Sequence, residues 1–126
     1  MKVVLVSRFP SDIDQPRGGV ETATVALAKA LFSLGITDLH IVTIEKHLPE
    51  ICLENHEGLT VHRLPRSRWP MILDAIVGPS VRILNQYLQQ LKPTVVHYHE
   101  TWGFSAPKCG FPAVFTVHGF DSLNLV

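Results

Sequence analysis

The chain has 126 residues, 46% apolar and 17% charged, and its 11 basic and 11 acidic side chains leave no formal net charge. That is the size and make-up of one globular domain able to bury a core. A balanced charge gives no case for a nucleic-acid partner, and no stretch approaches the roughly 20 apolar residues of a membrane span.

In chain order, Val3 to Val6 is a continuous apolar run, as expected of a central parallel strand covered on both faces. The run is too short for a signal sequence and turns into Ser7-Arg8-Phe9-Pro10. Residues 8–17 carry two prolines and two aspartates and read as a loop. From Val20 the apolar positions Ala23, Leu27, Ala30, Leu31 and Leu34 form a helical stripe, with Glu21 in the first turn and Gly35 as the stop. Leu39 to Ile44 is the next strand.

Residues 45–58 are polar and poorly periodic, whereas Leu59 to Leu64 alternates like a shorter, more exposed strand ended by Pro65. Ile72 to Val77 is apolar and breaks at Gly78-Pro79. Pro79 suits the first turn of a helix whose stripe is Val81, Leu84, Leu88 and Leu91, and which Pro93 closes. Thr94 to His99 is another strand, Pro107 to Gly110 a turn, and Ala113 to Val117 the last strand. The order β-α-β-β-α-β-β predicts an α/β fold with a largely parallel sheet, strands near 2–7, 39–44, 94–98 and 113–117 at its centre, and helical crossovers. No repeat, low-complexity tract or flexible linker interrupts residues 1–126, so a single domain is expected.

Two places put polar or glycine-rich groups at the carboxyl end of a buried strand, the edge where open α/β sheets bind ligands. Gly18-Gly19 follows the first strand and opens the first helix. There, unpaired N–H groups and the positive dipole end can hold a diphosphate, and glycine lets it approach the backbone. The pair is equally readable as loop punctuation. It is not GxGxxG, and no acidic residue closes a clear second strand, so a dinucleotide fingerprint is not supported. The second place is His118, which ends the last strand before Gly119.

His97 and His99, two apart on a strand, point to one face. With Glu100 or His118 they would make a metal site, and with His118 the centre of a metal-dependent hydrolase. Packed, hydrogen-bonded imidazoles are the favoured reading, so neither a metal nor any other cofactor is expected. Arg63, Arg66 and Arg68, with Lys46 before and Trp69 after, form a basic patch. A solvated loop leads there over an interfacial segment in which Trp69, Met71, Ile72 and Leu73 dip into an anionic membrane surface. Cys52 and Cys109 lack CxxC spacing and read as idle thiols of a reducing cytoplasm.

Taken together, the opening strand with its loop to Gly18-Gly19-Val20-Glu21, the helix ending Ala28 to Gly35, Pro93 to His99, and Phe115 to Gly119 resemble the N-terminal half of a GT-B fold glycosyltransferase of retaining family 4. The resemblance implies a Rossmann-like open parallel sheet flanked by helices. It also implies transfer of a sugar from a nucleotide-sugar to a sugar or lipid-linked acceptor, without a metal. By that resemblance Gly18 and Gly19 approach the donor diphosphate, and His118 is catalytic, facing the transferred sugar. Glu100, Thr101 and Trp102 line the acceptor side, and Asp121 joins Gly18, Gly19, Glu100 and Trp102 as a substrate-binding position. Family members carry a second, donor-binding domain that residues 1–126 do not supply, so this chain alone is expected to be inactive. A non-catalytic half of a split transferase is the other reading of such a chain.

Overall fold

The computed structural model of the chain describes residues 1–116. The elements run β1 (Val3–Val6), α1 (Gly18–Ser33), β2 (Leu39–Glu45), β3 (Cys52–His56), β4 (Leu59–Pro65), α2 (Met71–Val77), α3 (Pro79–Leu91), β5 (Val95–His99), a 3₁₀ helix (Glu100–Lys108) and β6 (Ala113–Thr116). They build one six-stranded sheet in the order β3-β4-β2-β1-β5-β6. Every pairing is parallel except β3 with β4. The parallel core is therefore an open Rossmann-like sheet, as the alternating periodicity predicts.

Each face of the sheet carries its own core. Val3, Leu5, Leu39, Ile41, Leu59 and Val61 meet α1 through Val25 and Ala28, together with Phe9 and Ile13 of the loop after β1. Val4, Val6, Val42, Leu64, Val96 and Tyr98 meet the other layer through Ala75, Leu84, Leu88, Trp102 and Cys109. This is the period-2 partition of a sheet covered on both sides, and it is why β1 is apolar at every position.

Several sequence readings are revised. Within the poorly periodic stretch 45–58, residues 52–56 form an edge strand that makes a hairpin with β4. Glu57 and Gly58 both have positive φ, 54° and 91°, the two-residue turn whose twist suits a hairpin; Asn55 Oδ1 accepts from the Gly58 N–H. The helical stripe of α1 is turned by about one position. Thr24, Val25 and Ala28 face inward, whereas Ala30 and Leu34 are exposed. The helix nevertheless ends at the expected place, with the Ile36 and Gly35 N–H groups closing onto Leu31 and Phe32 carbonyls. Ile72 to Val77 is a short helix of its own, and the segment after β5 winds into the 3₁₀ helix.

The basic patch is revised most. Arg63 is not on a solvated loop: it lies on β4 with 6% of its side chain exposed. Its guanidinium donates to the carbonyls of Phe9 and Pro10 and to the carboxylates of Glu45 and Glu54, at 2.8–3.2 Å. Burial raises the Glu54 pKa, but the hydrogen bonds from His56 and Arg63 outweigh it and hold the carboxyl below its ordinary value. β2 does end in an acidic residue, Glu45, and that residue pairs with Arg63.

Candidate functional site

The order of the parallel strands reverses at β1, which has β2 on one side and β5 on the other. Beyond the carboxyl ends at such a switch point the two crossovers diverge and leave a crevice. Here it is lined by Ser7 and Arg8 after β1, Val20 of α1, Thr43 and Ile44 of β2, His99 of β5, Thr101 and Trp102 of the 3₁₀ helix, and Met71.

The helix that opens onto this crevice is held from both sides. Ser7 donates its N–H to the Val42 carbonyl, and its hydroxyl lies 2.6 Å from that of Thr24, so the end of β1 is tied to the second turn of α1. Thr24, fully buried, also donates to the Val20 carbonyl. At the helix start, Glu21 accepts the Arg17 N–H at 2.9 Å, while no side chain caps the helix from Arg17. Gly18 has φ 72°, a conformation that disfavours any residue with a Cβ. A Cβ at Gly18 or Gly19 would meet nothing within 4 Å, so the backbone there is open to approach. The arrangement is an uncapped helix N-terminus with two exposed cations, Arg8 on the crevice and Arg17 at the helix start, and the hydroxyls of Ser7, Thr43 and Thr101 around it. Chemically it suits an anionic, polyhydroxylated ligand.

The expected residues divide as follows. Gly18 and Gly19 sit at the start of α1, next to Val20 of the crevice wall. Trp102 lines the crevice but is 8% exposed and packs into the core beneath α2 and α3. Glu100 opens the 3₁₀ helix. His118 and Asp121, like Val117, lie outside the described residues. The rings of His97 and His99 share one face, with centroids 4.3 Å apart, and His97 Nε2 is 2.7 Å from the Thr116 hydroxyl. Among the described residues no group of three His, Cys, Asp or Glu side chains is placed to hold a metal ion. Cys52 and Cys109 are free thiols.

Sequence reading missed Ser7, Thr24 and Thr43, which build the crevice. The signal for Ser7 is its place, the first polar residue after an apolar strand. Nothing in a helical stripe marks Thr24, whose burial follows from the hydroxyl it meets.

The crevice holds a cavity of about 50 Å³, well short of the roughly 300 Å³ at which pockets for small ligands begin. Two solved structures share the fold over nearly all of this chain. The "Trehalose-6-phosphate from E. coli bound with UDP-2-fluoro glucose" structure has a TM-score of 0.58, 13% identity, and coverage of 93% of this chain and 32% of its own. The "OtsA apo structure" has a TM-score of 0.57, 14% identity, and coverage of 94% and 33%. The chain thus spans about a third of the length of the structures it matches. No curated protein matches it significantly. Residues 17–125 match Glycosyltransferase Family 4. With a Rossmann-like sheet of the GT-B kind and a family match over most of its length, the chain belongs to Glycosyltransferase Family 4.

Proposed function

We propose that residues 1–126 form the N-terminal, acceptor-side domain of a retaining glycosyltransferase that moves a sugar from a nucleotide-sugar to a sugar or lipid-linked acceptor. The observation that carries this reading is the uncapped, glycine-opened start of α1 standing on the switch-point crevice of a family 4 sheet. Gly18 and Gly19 approach the donor diphosphate, whose negative charge grows as the sugar leaves and is stabilised by preoriented N–H groups. His118 is the catalytic residue facing the transferred sugar. Glu100, Trp102 and Asp121 contact substrate. A cavity of about 50 Å³ cannot enclose a nucleotide-sugar, so a donor-binding domain supplies the opposite wall. One of the two similar structures holds UDP-2-fluoro glucose, which supports a nucleotide-sugar donor. A cytoplasmic setting belongs to the same reading, and two free thiols are in keeping with it.

Gly19→Asp tests this. Gly19 is in the first turn, without positive φ and with open space around its Cβ position, and a carboxylate favours a helix N-terminus. The fold should therefore be kept while the diphosphate is repelled. In protein carrying both this chain and its donor-binding domain, the donor KM should rise at least about tenfold, as expected for loss of ~1.4 kcal/mol of binding. The melting temperature should stay unchanged. An unaltered KM and kcat would remove α1 from the donor site.

A further inference from the structure

Helix α2 is built inside out. Its one charged residue, Asp74, is fully buried, and its apolar residues Ile72, Leu73, Ile76 and Val77 are 54%, 52%, 40% and 49% exposed. The buried carboxylate fixes which face looks outward. Asp74 accepts from the Ser67 hydroxyl at 2.7 Å and from the Ser80 N–H at 2.8 Å, and lies 4.0 Å from Arg66 Nε. Rotating the helix to hide its apolar face would break these bonds and expose the core contact of Ala75. Trp69, 44% exposed, stands just before the helix with its N–H on Ser67 Oγ and its carbonyl on the Arg66 guanidinium.

Along the sequence from Pro65 to Lys92 the only carboxylate is Asp74, which is buried beside Arg66, while Arg68, just before the helix, and Arg82 and Lys92 beyond it are exposed cations. Beside the helix lies a cleft of about 710 Å³, lined by Lys46, His47, Arg66, Ser67, Arg68 and Trp69. In a chain of zero net charge, a cation-only segment next to an apolar helix face is a local construction. An exposed apolar patch rimmed by polar groups marks an interaction surface. Apolar side chains with a tryptophan beside them and cations around them match the layered chemistry of a membrane boundary: acyl chain, interface, anionic headgroup.

We propose that the outer face of α2, with Trp69 and the adjoining basic cleft, docks this domain on an anionic membrane surface. Ile72, Leu73, Ile76 and Val77 enter the acyl boundary, Trp69 sits at headgroup level, and Lys46 and Arg68 meet lipid phosphates. With four aliphatic side chains on two helical turns the attachment is reversible. Docking needs neither a donor nor sugar transfer, so its test reads neither.

The test is co-sedimentation of the protein with vesicles of phosphatidylglycerol and phosphatidylcholine, and of phosphatidylcholine alone. The protein should pellet with the anionic vesicles, several-fold less with the zwitterionic ones, and less again as salt screens the cations. Tryptophan emission should shift to the blue on binding, and Trp69→Phe should abolish the shift, because the other tryptophan, Trp102, is already buried. Lys46→Glu with Arg68→Glu changes two exposed side chains and should lower the partition coefficient at least about tenfold. Ile72→Asp with Ile76→Asp should do the same, with circular dichroism unchanged. If that pair fails to fold, the charge pair decides. No vesicle-bound fraction, equal binding to phosphatidylcholine alone, or unchanged partition of the charge pair would overturn the proposal. So would a dimer that Ile72→Asp dissolves in a protein that ignores vesicles, which would give the face to a second copy of the chain.

Discussion

Replacing Arg63 with Met should unfasten the loop that walls the crevice. The guanidinium donates to two buried backbone carbonyls, those of Phe9 and Pro10, and to two carboxylates. Methionine fills the space of the stem but makes none of these bonds. Hydrogen bonds from a charged donor are worth about 1.5–3 kcal/mol each, and the two carbonyls would be left in the interior. The carboxylates of Glu45 and Glu54 are 36% and 38% exposed, so water screens them and each ion pair counts for no more than ~1 kcal/mol. The sum is a loss of about 3–8 kcal/mol, a large part of the roughly 5–15 kcal/mol that holds a domain together. Urea denaturation followed by circular dichroism measures it. Limited trypsin digestion locates it, because Arg8 and Arg17 flank the loop and should be cut sooner once Phe9 and Ile13 are no longer pinned. Arg63→Lys should recover only part, since one ammonium cannot span four acceptors. A loss below ~1 kcal/mol with trypsin sensitivity unchanged would show that the loop holds its place without Arg63.

Three further outcomes follow from the same geometry. His62 is buried and hydrogen-bonds His40 and Tyr87; burial first, then the His40 and Lys2 charges, push its pKa down to about 4. Between pH 6.5 and 4 the unfolded chain takes up a proton that the fold refuses, so stability present above pH 6.5 should fall as the pH drops through that window, by ~2–3 kcal/mol, and His62→Gln should flatten the denaturation midpoint against pH. Gly18→Ala, at φ 72°, should cost ~1 kcal/mol, whereas Gly19→Ala in the same turn should be neutral or stabilising by about 0.5–1 kcal/mol, read from paired thermal melts. Asp74→Ala should lose ~2–4 kcal/mol by leaving the Ser80 N–H and the Ser67 hydroxyl without their acceptor and the Arg66 guanidinium without its counter-charge, while Asp74→Asn keeps more than half of that, measured by urea titration.

The parallel sheet was legible because its strands obey simple rules: a continuous apolar run for β1, covered on both faces, and a proline or glycine at each turn. The hairpin strand β3 was not, because an edge strand with alternate residues exposed carries little apolar signal; Glu57-Gly58 was its one mark. Arg63 was legible in principle. Leu59, Val61 and Arg63 share one face of β4, and two of the three are core residues, so parity alone puts the arginine inside. Reading it by its charge, as part of a basic patch with Arg66 and Arg68, hid that. The crevice was half visible. Gly18 and Gly19 announce an open helix start, but the Ser7–Thr24 bond joins residues 17 apart, whose meeting no periodicity encodes.

On the proposed function, the contribution of this domain lies in how little of the crevice is left to be ordered. The start of α1 is fixed at Thr24 by Ser7 and at Arg17 by Glu21, and the loop before it is clamped through Phe9 and Pro10 by Arg63. An anion arriving at Gly18 and Gly19 therefore meets a helix end already aimed, and its binding is not spent on arranging the backbone. Fixing the wall in this way puts the Ser7 and Thr24 hydroxyls and the Arg63 guanidinium in a buried setting, and each is satisfied by a partner, hydroxyl to hydroxyl and guanidinium to carbonyl. Their placement around one sheet edge sets the candidate site of this domain apart from the apolar packing that fills the two faces of the sheet.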